Sequence, residues 1–166
     1  MTMQTSNELT IAQARDRFLE RNGFTMESYD APTVEIPLGP VSAWLPNTAG
    51  RKAVVRWHDL HHVVTGYGTD MIGEAEIGAW ELRAGCTTMA AYVLNSLAVL
   101  LGLVLAPRRI LRAFSGARGA RSLYRMDLDY DDALRLTVAS LRSRAGVPRD
   151  GAAEGRAQLH TAAPAR

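Results

Sequence analysis

Three of the four histidines in the chain fall within residues 58–62. If this segment is helical, His58 and His62 lie one turn apart on the same face, so their imidazoles can converge on one divalent ion. Successive helical residues point about 100° apart, which predicts that His61 faces away from the pair as a cap or surface residue. The spacing therefore predicts a metal site on a helix.

A carboxylate from a neighbouring helix is the usual partner for two imidazoles, because two neutral ligands leave a divalent ion short of charge. Glu74 is placed for this role. The intervening segment contains Gly66, Gly68 and Gly73, which allow the chain to reverse tightly and return Glu74 to the histidines. Without a metal, the same side chains would be polar residues that hydrogen-bond one another on a helix face.

Two further acids are candidate catalytic residues. Asp59 follows His58 directly and can serve as a fourth ligand or as a base. Glu81 lies two helical turns beyond Glu74, about 10.5 Å along the axis, which is too far to share the ion. We therefore predict that Glu81 orients an imidazole.

The chemistry of these ligands leaves several functions open. His-Asp-x-x-His resembles the zinc-protease box with a shorter acid, so a zinc hydrolase that uses Asp59 is one alternative. Membrane desaturases and His-Asp phosphohydrolases need more histidine ligands than this chain has. Two histidines and a carboxylate suit catalytic zinc and also Fe(II) oxygen chemistry, and we expect a divalent metal, zinc ahead of Fe(II). A lipid-binding scaffold with a structural metal is the other alternative.

The segment around these residues resembles the coenzyme Q (ubiquinone) biosynthesis protein 4 family. The similarity is specific over residues 56–82, which begin RWHDLHHVVTGYGTDMIGE. This stretch carries the family's His-Asp-x-x-His, then eleven residues and a Glu, and Ala79-Trp80-Glu81-Leu82 stands where the family has an aromatic-Glu-Leu motif. Before and after it, a hairpin and an uncharged run depart from the family.

This resemblance implies a mostly helical fold and a metal bound by His58, Asp59, His62 and Glu74. It also implies an enzyme with oxidative decarboxylase-like activity at ring carbon C1 of polyprenylated quinone precursors. The expected partners are such a precursor or another isoprenoid lipid, a membrane surface, other enzymes of the pathway and a second copy of the chain.

The elements that must position these residues form a small bundle of about five helices, with a short β-hairpin before the metal-binding helix. Capping residues, turn glycines and hydrophobic spacing predict their bounds. The predicted helices cover about residues 10–22, 48–64, 70–84 and 89–106, and a last one runs from Asp129 or Asp131 to Gly146. The hairpin strands are predicted at Val34–Leu38 and Val41–Leu45, around Gly39-Pro40.

The fourth predicted helix is almost entirely apolar from Met89 to Ala106, apart from Asn95 and Ser96. It is about 27 Å long, and it can be the central helix of the bundle or a helix that dips into the lipid interface. Crossing the membrane ranks last, because later helices must stay near the metal site. Three arginines that follow Pro107 would contact anionic headgroups in the interfacial case: Arg108, Arg109 and Arg112.

Composition limits the chain to one domain. Its 166 residues, 47% of them hydrophobic, can bury one ordinary core. We expect a single helical metal-binding domain over residues 1–146 and a disordered tail over 147–166. The net charge of +2 and the scarcity of aromatics among the arginines argue against nucleic acid. One cysteine and the lack of a secretory leader predict a cytoplasmic protein, peripheral on the inner membrane face.

Overall fold

The computed structural model describes residues 6–38 and 41–153. It is mainly helical, as predicted, although the described residues form eight α-helices where about five were predicted. Its helices and strands in chain order are α1 (Ile11–Asn22), α2 (Met26–Asp30), β1 (Thr33–Leu38), β2 (Val41–Pro46), α3 (Ala49–Thr65), α4 (Met71–Ala84), α5 (Met89–Leu105), α6 (Pro107–Gly116), α7 (Tyr130–Arg135) and α8 (Val138–Ala145).

Local signals determine the ends of the first long helices. Thr10 and Gln13 form a reciprocal capping box at the start of α1. Thr48 caps α3, and Gly66 ends it in the left-handed conformation. Asp70 accepts two backbone N–H bonds at the start of α4. The predicted bounds of these three helices are confirmed to within about one residue.

Two strands pair between α2 and α3. They are antiparallel, with Thr33 opposite Pro46 and Leu38 opposite Val41. The turn predicted at Gly39-Pro40 lies outside the described residues. After β2, the Asn47 amide group donates to the carbonyl oxygens of Tyr29 and Ala31, so it fastens the end of α2 to the start of α3.

The last predicted helix is two helices, so the prediction of one continuous element is wrong. The break falls at Leu136 and Thr137, where the chain pairs with the N-terminal segment. Ile11 donates its backbone N–H to the Leu136 carbonyl, and Val138 donates to that of Leu9. Because these bonds replace the helical ones, the chain leaves the helix, and Thr137 caps α8.

The folded part of the chain continues beyond the predicted domain end at 146. Val147 is buried, and the backbone N–H groups of Ala152 and Ala153 both donate to the Thr65 carbonyl. Residues 147–153, which the predicted disordered tail included, thus pack on the end of α3. Residues 154–166 lie outside the described residues.

The central helix is α4, which the sequence analysis did not single out. Most of its residues are buried, including Ile77, Trp80 and Glu81. Small residues on its surface allow close packing, since a Cβ at Gly78 would lie 3.3 Å from the Asn95 backbone of α5. The core around α4 contains Ile11, Leu60, Ile77, Trp80, Ile110, Leu123 and Leu141.

Helix α5 lies at the surface instead of the centre, so that alternative for it is wrong. Its buried residues are Ala91, Asn95 and Gly102, and the leucines on its other side are exposed. Among the described residues, no helix has both the length and the apolar character to cross a bilayer. The basic segment after Pro107, for which no helix was predicted, forms α6 with that proline in its first turn.

Candidate metal centre

The turn between α3 and α4 brings the candidate ligands together. Gly66 has a φ of 82°, and Gly73 packs so closely on the Gly68 carbonyl that a side chain at residue 73 has no room. This tight reversal sets the first turn of α4 against the last turns of α3. Glu74 therefore faces His58 and His62, as the glycine pattern predicted.

Three side chains converge on one point. His58 Nε2 lies 3.2 Å from His62 Nε2. Glu74 places Oε2 3.3 Å from His58 Nε2 and Oε1 3.4 Å from His62 Nε2. Among the residues that the structure describes, these three form the only group of His, Cys, Asp and Glu side chains whose ligand atoms are close enough to share an ion.

The opposite ring nitrogens of both histidines are hydrogen-bonded to acceptors. His58 Nδ1 lies 2.8 Å from Glu81 Oε1, and His62 Nδ1 lies 3.1 Å from the Tyr67 carbonyl oxygen. A carbonyl or a carboxylate can only accept, so each Nδ1 carries the hydrogen. In the neutral imidazoles, both Nε2 atoms then present lone pairs to each other, and a cation or a proton must lie between them.

These distances fit a metal ion. A tetrahedral ion with ligands at 2.0–2.1 Å separates neighbouring ligand atoms by about 3.3 Å. A histidine whose Nδ1 donates to a carboxylate or carbonyl is also the usual arrangement around a bound metal. The donor set of His58, His62 and Glu74 therefore suits a divalent ion.

The pKa shifts of the metal-free site also indicate that it stabilises a positive charge. Burial lowers the pKa of His58, but Glu81 and Glu74 outweigh burial and hold that pKa well above its ordinary value. Burial would raise the pKa of Glu74, yet its contacts with His58 and His62 lower it to about 2. Without a metal, the site holds a proton on His58 against an ionised Glu74.

Asp59 does not join the three converging side chains. It is buried, and its Oδ2 accepts a hydrogen bond from the Tyr29 hydroxyl. Burial raises its pKa, and the Tyr29 bond and the nearby His58 oppose that rise only in part. Of the two roles predicted for Asp59, this placement agrees better with a group that exchanges a proton than with a ligand.

Glu81 is a buried carboxylate that binds both His58 and His61. Its Oε1 accepts from His58 Nδ1 at 2.8 Å, from His61 Nδ1 at 2.7 Å and from the Tyr124 hydroxyl at 3.2 Å, and its Oε2 accepts from Asn95 at 2.7 Å. Burial would raise the pKa of Glu81, but His58 and His61 hold it well below its usual range. This contact with His58 is the one that the predicted orienting role requires.

The prediction that His61 is a cap or surface residue is wrong. Its side chain is fully buried, and Nε2 accepts the Leu123 backbone N–H at 2.9 Å while Nδ1 donates to Glu81. Burial lowers the pKa of His61, so the ring stays neutral. The side of α3 that carries His61 is covered by the segment around Leu123, which no local pattern in the sequence places there.

A cavity of about 350 Å³ opens beside the three ligands, within the usual size range of small-molecule sites. His58, Asp59 and Glu74 line it on the metal side. The Glu74 side chain is 41% exposed, whereas that of His62 is 1% exposed. The ligands thus close the site on one side and leave it open on the other.

Several residues of the site were not predicted. Asn95 had a detectable signal, since it is a rare polar residue in an apolar helix and, when buried, such a residue needs a partner. Arg51 also had one, because Arg51, Val55, His58 and His62 follow a helical i, i+4, i+7, i+11 spacing. Tyr29 and Tyr124 come from distant parts of the chain, and nothing in the local sequence marks them.

The three arginines predicted to contact lipid are placed differently from one another. Arg109 forms a two-bond ion pair with Glu76, at 2.7 and 2.6 Å, which fastens α6 to α4. Arg108 and Arg112 lie on exposed positions of α6. The exposed large apolar residues of α5 and α6 include a set that is here called the α5–α6 apolar face: Leu94, Leu97, Leu100, Leu101, Val104, Leu105, Leu111 and Phe114.

Comparisons of the chain with protein-family models, curated proteins and solved structures find no match. The resemblance seen in the sequence rests on residues 56–82 alone and stays a prediction.

Proposed function

We propose that the protein is a metal-dependent enzyme of ubiquinone or related prenyl-lipid biosynthesis. One observation carries the enzymatic part of this proposal: the ligand atoms of His58, His62 and Glu74 come together, and His58 and Glu74 also line a cavity. Structural zinc sites are closed by four protein ligands, whereas catalytic sites keep a position free for substrate or water. The arrangement therefore favours a working site over a structural one.

The substrate class comes from the resemblance over residues 56–82. It implies a polyprenylated aromatic acid whose ring carbon C1 loses the carboxylate as carbon dioxide and takes a hydroxyl group, a two-electron oxidation for which dioxygen would be the oxidant. A bound divalent ion would supply positive charge to polarise a substrate oxygen. Glu81 and the Tyr67 carbonyl orient the two imidazoles that would bind the ion. Asp59, which is hydrogen-bonded to the Tyr29 hydroxyl, can take up or release a proton at the cavity.

A membrane surface is the proposed source of such a substrate. The α5–α6 apolar face is exposed, and Arg108 and Arg112 lie on α6, one of its two helices, where anionic headgroups would meet them. A patch of this kind on a soluble domain usually marks an interaction site. We therefore propose a peripheral association through α5 and α6.

Metal content and turnover test the proposal together. The wild-type protein should contain about one zinc or iron ion per chain by elemental analysis, and His58→Ala and Glu74→Ala should lose it. Glu20→Ala, which removes an exposed carboxylate on α1, is the matched control and should keep the metal. Turnover of a prenylated 4-hydroxybenzoate, followed by mass spectrometry, should fall at least 100-fold in the two metal-site variants.

The same variants separate the two alternatives. A scaffold with a structural metal predicts that Glu74→Ala unfolds, so a folded but inactive Glu74→Ala protein argues against it. A zinc hydrolase that uses Asp59 as its base predicts loss of hydrolysis in a further variant, Asp59→Asn, so turnover that survives this substitution rules the hydrolase out. Near-zero metal in the wild type and in all three variants would contradict the enzyme proposal.

A further inference from the structure

The cavity beside the metal centre has two chemically distinct parts besides the ligands. Part of the lining is apolar, and another part carries two cationic side chains. The apolar wall consists of Leu19, Phe24 and Val55, and the polar end consists of Asn47, Arg51 and Lys52. A ligand that fits both parts has an apolar body and a negative group.

Arg51 faces the cavity on the same side of α3 as the metal ligands. It precedes His58 by seven residues, or two helical turns, and Val55 lies between them on that face. A ligand that fills the cavity therefore contacts the guanidinium at one end and the metal site at the other.

The guanidinium of Arg51 is held in place by a neutral partner. Its Nη1 donates to Asn47 Oδ1 at 3.1 Å, and the Asn47 amide nitrogen is itself fixed by the carbonyls of Tyr29 and Ala31. Among the side chains that the structure describes, no carboxylate lies within ion-pair distance of Arg51. Its charge is thus half-buried and oriented, without an acid of the described chain to neutralise it.

Lys52 adds a second positive charge at the same end. Its Nζ donates to the Asp30 carbonyl at 3.1 Å and lies 4.0 Å from the Asp30 carboxylate, so one neighbour restrains it. A guanidinium has five N–H donors in a planar fork that matches an oxyanion, and only one of these is used by Asn47.

We propose that Arg51, with Lys52 beside it, binds the oxyanion of an amphipathic organic substrate whose apolar body packs on Leu19, Phe24 and Val55. The inference deepens the proposed function and rests on it for the site at which the substrate reacts. A carboxylate and a phosphate share the chemistry that the fork recognises, and the choice of ligands tells them apart.

Calorimetric titration of the purified full-length chain tests the proposal without turnover. The ligands are 3-decyl-4-hydroxybenzoate, decyl phosphate and the neutral 2-decylphenol. At least one of the two anions should bind more tightly than the phenol. In Arg51→Met, that anion should bind on the order of 10- to 100-fold more weakly, while the affinity for the phenol stays the same.

Two further variants serve as controls for Arg51→Met. Arg51→Lys keeps a positive charge and should retain part of the anion affinity. Arg118→Met removes an exposed arginine that does not line the cavity and should bind all three ligands like the wild type. Thermal unfolding of each variant establishes that it is folded.

The subsite is overturned if the phenol binds as tightly as both anions, or if Arg51→Met weakens the phenol and the anions equally. A failure of the anion subsite can be distinguished from a failure of the proposed function. Selective anion binding without metal or turnover supports the subsite and contradicts the enzyme, whereas turnover with equal binding of both anions and the phenol contradicts only the subsite.

Discussion

At the scale of single residues, the feature that determines the chemistry is a pair of ring nitrogens that cannot bond to each other. The Nδ1–H groups of His58 and His62 each donate a hydrogen bond to an acceptor, so the two Nε2 lone pairs face each other. The two Nε2 atoms are 3.2 Å apart. Such a pair is stable only with a positive charge at that point. A proton and a divalent ion therefore compete for the same place.

This competition predicts an unusual pH dependence of the metal-free protein. The pKa of His58 is raised in the folded state, so the proton stabilises the fold below the unfolded pKa of about 6.5. The stabilisation is lost as the pH rises through the higher folded pKa. Urea unfolding of chelator-treated protein should show a free energy of unfolding that falls as the pH rises above about 6.5.

Zinc and a variant provide the controls. The free energy of unfolding of zinc-loaded protein should not fall in this way, because the ion replaces the proton. His58→Gln should lack this fall also, since the titrating ring is gone. Parallel curves for metal-free and zinc-loaded wild type would contradict the assignment of His58 to the metal centre.

At the scale of elements, hydrophobicity alone would place α5 at the centre and α4 at the surface, and the structure has the reverse. Helix α4 carries several charged residues and is central, because Glu76 pairs with Arg109 and Glu81 is satisfied by four donors. Helix α5 is almost wholly apolar, yet it packs through small residues such as Ala91 and Gly102 and exposes its leucines.

The exposed leucines predict binding to lipid. Wild-type protein should float with vesicles of phosphatidylcholine and phosphatidylglycerol, and Leu100→Glu should reduce the bound fraction on the order of 10- to 100-fold. The reason is that the substitution removes one large apolar contact and adds a charge that repels the headgroups. Flotation in a density gradient measures the effect.

The matched control is Ser143→Glu, which adds the same charge at an exposed position of α8. It should bind vesicles nearly as well as the wild type. If the wild type does not bind vesicles but forms a dimer that Leu100→Glu dissociates, the α5–α6 apolar face binds a second copy of the chain, and the membrane proposal is wrong.

At the scale of the whole molecule, both ends of the described chain meet at the C-terminal end of the metal-binding helix. Arg142 makes the connection, since it donates to the Val64 carbonyl at 2.8 Å, to Asn7 Oδ1 at 2.8 Å and to the Arg149 carbonyl at 2.7 Å. Residues 147–153 add two bonds to Thr65. These contacts hold the turn of α3 that carries His62.

Two shortened chains test this arrangement. Residues 1–146 should be less stable than residues 1–153 by about 3 kcal/mol, or roughly 6–12 °C in melting temperature. The shorter chain lacks buried Val147 and leaves the Thr65 carbonyl without its partners. Calorimetric melting of both measures the difference, and equal melting temperatures would show that residues 147–153 contribute nothing.

Much of the local structure and part of the site could be predicted from the sequence, because these features depend on residues close together in the chain. The caps at Thr10, Thr48 and Asp70 act over three residues. The histidine pair spans one helical turn, and the reversal to Glu74 needs only the intervening glycines. These interactions hold in any tertiary arrangement, so the sequence by itself determined three candidate ligands and the helices that carry them.

The rest was decided by contacts between distant segments. His61 became a buried partner of Glu81 because the Leu123 segment covers it, and α7 and α8 separated because the N-terminal segment bonds to the chain between them. The cavity required Tyr29, Asn47 and α3 to meet. Burial and hydrogen-bond partners of this kind depend on packing, and only the tertiary structure determined which side of the metal centre is closed and which is open to a ligand.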